Sequence, residues 1–279
     1  MLFALASAPC FAMSAIFGKF ALNAGGSPIG VLAARFVLAA AILAVLLVLM
    51  GKRWPRGRTL CTLLAVGAIG QGAMAIFFFN ALTHASAGLT GLLLYLHPAL
   101  IALVEVLARW ERMRPMKAVA IVLAVVGCAL TAGGGGGSAL GVFFGIAAAV
   151  SLSVYVLAAK RYAHDIDPYV STTVFIAGAA LVFVVMAAFT QPAMPQGAVG
   201  WSAVVGLAVV PTVVGSLFLF AALPRLAASD VTTLMTIEPV VTMIFGWWLL
   251  GETVGLFQFA GAVLILGSVL VLAQSVRRV

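Results

Sequence analysis

The sequence predicts an all-α polytopic membrane protein whose ten transmembrane helices form two inverted five-helix repeats, with both termini cytoplasmic. Composition, the lengths of the apolar runs and an internal repeat predict this class. Of the 279 residues, 65% are hydrophobic and only 8% are charged. Soluble domains carry about 25% charged residues. Because so few charged side chains cannot cover a globule in water, the chain is expected to lie in a lipid bilayer.

The predicted spans are apolar runs separated by connectors rich in charge, proline or glycine. A helix needs roughly 20 mostly apolar residues to cross a bilayer. Runs of this kind lie at about 2–21, 29–50, 59–81, 86–108, 116–132, 139–160, 168–190, 199–221, 226–250 and 256–274. The first run has neither a preceding basic segment nor a convincing cleavage site, so it is expected to be a retained span and not a signal peptide.

The two halves of the chain match at a constant offset. The segment "HPALIALVEVLARWE" aligns with "EPVVTMIFGWWLLGE", so Pro98 and Pro239 are 141 residues apart, as are Glu111 and Glu252. A shared register over this length indicates an ancestral duplication. The predicted parts are a first five-helix repeat at 1–132, a glycine-rich linker at 133–138 and a second repeat at 139–279, forming one integrated membrane domain.

An odd number of spans in each half predicts that the second repeat is inverted relative to the first. With the N-terminus inside, thirteen of the 15 basic residues fall in cytoplasmic connectors or at the C-terminus, as the positive-inside rule requires. The exceptions are Lys19 and Arg35, and Arg35 is expected to snorkel to the outer surface. The net charge of +8 therefore reflects topology, and a nucleic-acid partner is not expected.

Two titratable residues occupy equivalent positions near the predicted midplane, His97 in span 4 and Glu238 in span 9. Ionisable groups are costly in hydrocarbon and commonly functional. Inverted-repeat transporters bind their substrates at this level. Glu238 is expected either to contact a substrate ammonium or a proton, or to pin a broken helix. His97 is expected either to accept a proton or to stay neutral and bond a backbone carbonyl.

Each of these residues directly precedes a proline, Pro98 or Pro239. A proline inside a helix removes one hydrogen bond and frees the carbonyl four residues earlier, here those of Leu94 and Met235. Both prolines are expected to kink their helices, either as gating hinges or as fixed bends that shape a cavity.

Further polar and aromatic residues are expected to line the same cavity. They are Gln71 and Asn80 in span 3, Tyr95 in span 4, Tyr155 in span 6 and, from the run Phe77–Phe79, one ring that we take to be Phe78. Glu105 is expected to pair with Arg109 at the i, i+4 spacing without a role in transport.

The late segment "EPVVTMIFGWWLLGE…FAGAVLILGSVLV" resembles the EamA-type branch of the drug/metabolite transporter superfamily. The matching residues are Glu238, Pro239, Leu250, Gly251, Glu252, Gly261 and Gly267. The segment "YLHPALIALVEVLARWER" is similar to the YddG-like aromatic amino-acid exporters. The resemblance implies a multi-pass protein of the cell (inner) membrane that exports or exchanges small metabolites, amino acids being the commonest class, without a cofactor.

The leading hypothesis is therefore a secondary transporter or facilitator that works by alternating access around a midplane cavity. An exporter of other small amphiphiles or drugs is the alternative. No GxxxxGK[ST], HExxH or GxSxG motif is present, which disfavours direct ATP use and an intramembrane enzyme. A non-transporting scaffold is the third hypothesis. Gly261 and Gly267 are expected to mark either close helix packing or a homodimer surface.

Overall fold

The computed structural model describes residues 2–109, 115–218 and 237–277. These residues are almost entirely helical. The helices are α1 (Leu2–Asn23), α2 (Pro28–Leu49), α3 (Gly57–His84), α4 (Ala87–Leu107), α5 (Pro115–Gly133), α6 (Ala139–Tyr162), α7 (Pro168–Thr190), α8 (Gly197–Phe218), α9 (Ile237–Leu250) and α10 (Leu256–Arg277).

Seven of these helices, α2 to α8, are long and apolar enough to span a membrane, and the apolar parts of α9 and α10 are shorter among the described residues. The predicted residues 226–236 of span 9, with Met235, lie outside them. The predicted polytopic helical class is confirmed.

Local sequence explains where several helices begin. Ser27, Ser86, Ser138 and Asp167 precede α2, α4, α6 and α7, and each side chain accepts a hydrogen bond from a free backbone N–H of the first turn. Such N-caps satisfy donors that the helix itself cannot satisfy. In α2 and α7 a proline follows directly, where its missing N–H costs nothing.

Three helices carry irregularities near their middles. In α3 the segment Val66–Gln71 is π-helical, and in α8 so is Ala208–Gly215. Helix α4 breaks into Ala87–Leu94 and His97–Leu107. A π-helical turn widens the helix and often occurs at functional sites. Because Gln71 and Thr212 are also 141 residues apart, the two π-helical segments occur at equivalent places in the predicted repeats.

Helices from the two halves pack against each other in pairs: α2 with α7, α3 with α6, α1 with α8, α4 with α9 and α5 with α10. The rings of Phe36 and Phe183 stack between α2 and α7, with centroids 5.5 Å apart. Between α5 and α10 the backbones meet at glycines, since a Cβ on Gly127 would lie 2.9 Å from the carbonyl oxygen of Gly261. Gly261 therefore serves packing within the chain.

The connectors group at two ends of the helix bundle. At the first end, which we call the basic end, Lys52 pairs with Asp167, linking the connectors at 50–56 and 163–167. At the opposite end, Ser27 N donates to Ala193 O (2.9 Å) and Ser86 N donates to Gly136 O (2.6 Å). Among the described connectors, those at 50–56 and 163–167 therefore lie at one end and those at 24–27, 85–86, 134–138 and 191–196 at the other, as expected for a chain that crosses a bilayer repeatedly.

Candidate functional site

A cavity of about 710 Å³ lies among helices of both halves. Its volume falls in the range of about 300–1,000 Å³ that is common for ligand sites. It extends from the broken middle of α4 towards the basic end, where Lys160, His164 and Pro168 border it. Its polar wall is formed by Arg35, Gln71, Tyr95, His97, Tyr155, Thr212, Glu238 and Thr242, and its aromatic wall by Phe11, Phe78, Phe79 and Phe175.

Glu238 lies on the cavity wall at the described start of α9. Its Oε2 accepts a hydrogen bond of 2.8 Å from the hydroxyl of Tyr95 on α4. The hydroxyl of Thr242, one turn further, donates to the Glu238 carbonyl at 3.0 Å. Glu238 is the only carboxylate among the described residues that line the cavity. It therefore combines a structural hydrogen bond with a position open to a solute.

His97 begins the second part of α4, and its ring also borders the cavity. Its Nδ1 lies 3.0 Å from the carbonyl oxygen of Leu94, the group that Pro98 frees. Since a carbonyl only accepts, the proton must be on Nδ1, which leaves Nε2 as an acceptor in the neutral ring. The Tyr95 ring packs edge-on at a centroid distance of 5.9 Å. His97 therefore both bonds a backbone carbonyl and borders the cavity, both of which were expected of it.

The prediction that Arg35 snorkels to the outer surface is wrong. Its side chain is buried, with 9% of the residue's surface exposed, and it lines the cavity. Its Nε donates to Thr212 Oγ1 at 3.1 Å, and its guanidinium carbon lies 5.8 Å from the centroid of the Phe79 ring. Arg35 turns inward because the π-helical segment of α8 offers a hydroxyl acceptor and Phe79 offers an aromatic face.

The other predicted cavity residues divide into two groups. Gln71, Phe78 and Tyr155 lie on the wall, whereas Asn80 does not. Of the two prolines predicted as kink positions, Pro98 borders the cavity and Pro239 does not. The side-chain amide of Asn80 donates instead to the Ile76 carbonyl of its own helix at 2.7 Å. Asn80 is therefore occupied by its own backbone.

Tyr155 and Phe77 each pack against an aromatic neighbour that the sequence pattern does not reveal. Tyr155 packs edge-on against Phe175 at 5.5 Å. Phe79 joins Phe78 on the wall, while Phe77 stacks on Phe144 at 6.3 Å. The cavity is therefore lined by two rings of the run Phe77–Phe79, and the prediction that one ring lines it is wrong.

Two carboxylates form contacts outside the cavity. Glu105 pairs with Lys160 of α6 (3.6 Å). Among the described residues it does not form the predicted pair with Arg109. Arg109 follows the end of α4 with a left-handed backbone conformation (φ 59°), so it does not continue the helix on which the i, i+4 spacing depends. Glu252, in the α9–α10 connector, accepts from the N–H groups of Ala87 (2.6 Å) and Gly88 (3.2 Å) at the start of α4.

Sequence reasoning missed Arg35 and Thr212 as cavity residues. A signal for Thr212 is present in the repeat, because it is the counterpart of Gln71, which was selected. Among the described residues, no group of three His, Cys, Asp or Glu side chains could hold a metal ion.

The comparison with protein families decides the class. The EamA-like transporter family matches the chain twice, over residues 1–133 and 139–274. The chain belongs to the EamA-like transporter family. This membership, with the apolar helices described above, makes it a multi-pass membrane protein and points to a transporter rather than an enzyme.

Similar curated proteins carry transporter names without a stated substrate. The uncharacterized transporter YyaM of Bacillus subtilis (strain 168) is 26% identical, covering 90% of this chain and 86% of its own. The uncharacterized transporter YcbK of the same organism is 27% identical, covering 93% and 88%. An uncharacterized transporter of Archaeoglobus fulgidus is 27% identical, covering 74% and 77%. Assignment of this EamA-like protein to the YddG-like branch stays a prediction.

One solved crystal structure supports the fold alone. It is 23% identical in sequence, and it superposes on this EamA-like chain with a TM-score of 0.69, covering 100% of this chain and 98% of that chain.

Proposed function

We propose that this EamA-like protein is a secondary transporter that exports small metabolites of the amino-acid class, aromatic or hydrophobic ones in particular. The single observation that carries the proposal is the cavity, in which Glu238 and Arg35 bring opposite charges to a largely apolar chamber that includes several aromatic rings. A zwitterion with an apolar side chain complements such a chamber. The Glu238 carboxylate is the proposed contact for the substrate ammonium, with Tyr95 holding it in place.

The proposed mechanism is alternating access between two inverted repeats, 1–132 and 139–279, joined by the linker at 133–138. The pairing of helices across the two halves supports this organisation, as do the equivalent positions of the two π-helical segments. In such transporters one bundle rocks against the other around a site between the repeats. Pro98 and Pro239 are the proposed hinge positions, and His97 and Tyr155 the proposed polar contacts.

The orientation proposed for the chain places the basic end in the cytoplasm. The described basic residues Lys52, Arg53, Arg56, Lys160 and Arg161 lie in or beside the connectors at that end, which supports this orientation by the positive-inside rule. The cavity then extends towards the cytoplasm in the present conformation, and both termini are cytoplasmic. We propose the cell (inner) membrane as its location, and export follows when the solute is more concentrated inside.

A second candidate function is the export of other amphiphiles or drugs. The rings of Phe11, Phe78, Phe79 and Phe175 favour it, because they offer apolar contact without selecting a head group.

The test is solute flux in proteoliposomes that contain the purified protein. Vesicles are loaded in turn with each radiolabelled amino acid and with a cationic amphiphile, with and without a proton gradient. Flux of phenylalanine or leucine above that of protein-free vesicles supports the amino-acid proposal. Flux of the amphiphile alone moves the assignment to the second candidate. Lack of flux for every solute contradicts both.

A further inference from the structure

We propose that Arg35, oriented by Thr212, is an anion subsite of the cavity and binds the carboxylate of the transported solute. The identity of the anion as a solute carboxylate rests on the proposed function. The subsite itself rests on the contacts, burial and charge of Arg35.

The guanidinium of Arg35 has a defined orientation. Its Nε donates to Thr212 Oγ1 at 3.1 Å. The hydroxyl hydrogen of Thr212 is committed to the carbonyl of Leu207, 2.8 Å away, so its oxygen is left to accept from Arg35. Leu207 lies five residues before Thr212, which is the spacing of a π-helical turn. The π-helical segment of α8 therefore fixes Arg35 before any ligand arrives.

The charge of Arg35 is not neutralised by the described residues. Arg35 forms no ion pair among them, and its one hydrogen bond there uses Nε. Both terminal nitrogens, with four N–H groups, remain for a ligand. An unpaired buried cation is destabilising in a low dielectric, and an anion that binds there relieves this cost. A planar guanidinium fork matches the two oxygens of a carboxylate.

Within the cavity, the cation Arg35 and the carboxylate Glu238 do not form an ion pair with each other. No nitrogen of Arg35 lies within the ion-pair distance of 4.0 Å from Glu238, and Oε2 of Glu238 is engaged by Tyr95. Arg35 comes from α2 and Glu238 from α9, in opposite halves of the chain. A solute that carries both charges can therefore bridge the two halves, with its carboxylate on Arg35.

The test uses two half-substrates and isothermal titration calorimetry of the purified protein in detergent. The compound 3-phenylpropionate has the carboxylate without the ammonium, and phenethylamine has the ammonium without the carboxylate. The variants are Arg35→Gln, Arg35→Lys and the control Arg58→Gln, which removes an equal charge from an exposed position in the first turn of α3.

The Arg35→Gln variant is expected to bind 3-phenylpropionate at least about tenfold more weakly, with phenethylamine binding unchanged. Arg35→Lys is expected to be intermediate, because an ammonium keeps the charge but loses the fork. Arg58→Gln is expected to bind both compounds as the wild type does. If Arg35→Gln does not fold, the selective loss of 3-phenylpropionate binding by Arg35→Lys carries the test.

Other outcomes overturn the subsite. They are an equal loss of both compounds and a wild type that binds neither 3-phenylpropionate nor chloride nor phosphate. Arg35-dependent binding of chloride or phosphate alone keeps an anion site at Arg35 and overturns the solute carboxylate as its ligand. The proteoliposome assay separates this inference from the proposed function. Arg35-dependent 3-phenylpropionate binding without any amino-acid flux leaves the subsite standing and removes the amino-acid substrate. Undiminished amino-acid flux in Arg35→Gln leaves the amino-acid substrate standing and removes the subsite.

Discussion

The hydroxyl of Tyr95 donates a 2.8 Å hydrogen bond to Oε2 of Glu238. This bond joins α4 at its break to the described start of α9, so it links two helices at the positions where each contains a proline. Because a half-buried carboxylate with a donor is held in one orientation, the contact both shapes the cavity wall and presents the second carboxylate oxygen, Oε1, for another partner.

Replacement of Glu238 by Gln is expected to lower amino-acid flux at least about tenfold, because an amide keeps the oxygen that accepts from Tyr95 but loses the charge that attracts an ammonium. The measurement is initial flux of phenylalanine in proteoliposomes, normalised to inserted protein. The matched variant Tyr95→Phe removes the hydrogen bond and keeps the charge. Its expected effect is a loss of about 1 kcal/mol in stability and a smaller loss of flux. Wild-type flux in Glu238→Gln would show that Glu238 is structural only.

Replacement of His97 separates its two contacts. In His97→Asn the side-chain amide can still donate to the Leu94 carbonyl, whereas His97→Ala leaves that carbonyl without its partner. We expect the His97→Asn variant to unfold near the wild-type temperature. The His97→Ala variant is expected to lose about 1–3 kcal/mol of unfolding free energy. If the ring also contacts solute, flux falls in both variants. Full flux in His97→Asn would instead show that His97 only holds the broken helix in place. The measurements are thermal unfolding and flux on the same preparation.

Replacement of Glu252 by Gln is expected to destabilise the protein by about 1–2 kcal/mol, because the carboxylate accepts from two N–H groups at the N-terminus of α4, where negative charge is favourable. The measurement is thermal unfolding in detergent. Glu105→Gln is the matched control, since it removes the same charge from a pair with the exposed Lys160 and is expected to cost less. Equal losses in the two variants would contradict a capping role for Glu252.

The stability contribution of Asp167 is expected to depend on pH. Burial acts to raise the pKa of Asp167, but hydrogen bonds from Lys52 and from the N–H groups of Val170 and Tyr169 outweigh it, so the pKa is lowered. A carboxyl with a lowered folded pKa stabilises the fold above its unfolded pKa, about 3.9, and this contribution is lost as pH falls through the folded value.

Asp167→Asn is therefore expected to be less stable than the wild type at neutral pH, by less than about 1 kcal/mol because the pair with Lys52 is partly exposed. The difference should shrink below about pH 4. Unfolding temperatures measured from pH 3 to pH 7 test this. Asp165→Asn is the control, since its carboxylate is 81% exposed beside His164. A difference that is constant over this range would mean that the carboxylate charge contributes nothing.

The helices could be predicted from the sequence because their causes are local. Apolar runs of bilayer length, serine and aspartate caps, and prolines at first turns all act within a few residues. The cavity positions of His97 and Glu238 were also accessible, because the repeat places both before a proline at one register. Asn80 was selected by the same reasoning and lies off the wall, because composition does not reveal that its amide bonds its own helix.

By itself the sequence determined the helical membrane class, most of the helix bounds and the register that relates the two halves, since these depend on hydropathy and on short-range spacing. Only the tertiary structure decided where the long polar side chains point. Arg35 finds its acceptor 177 residues away on α8, and Glu252 finds its donors 165 and 164 residues away on α4. A flexible charged side chain in an apolar bundle turns towards whichever polar partner packing brings within reach, and that partner is not encoded in its own helix.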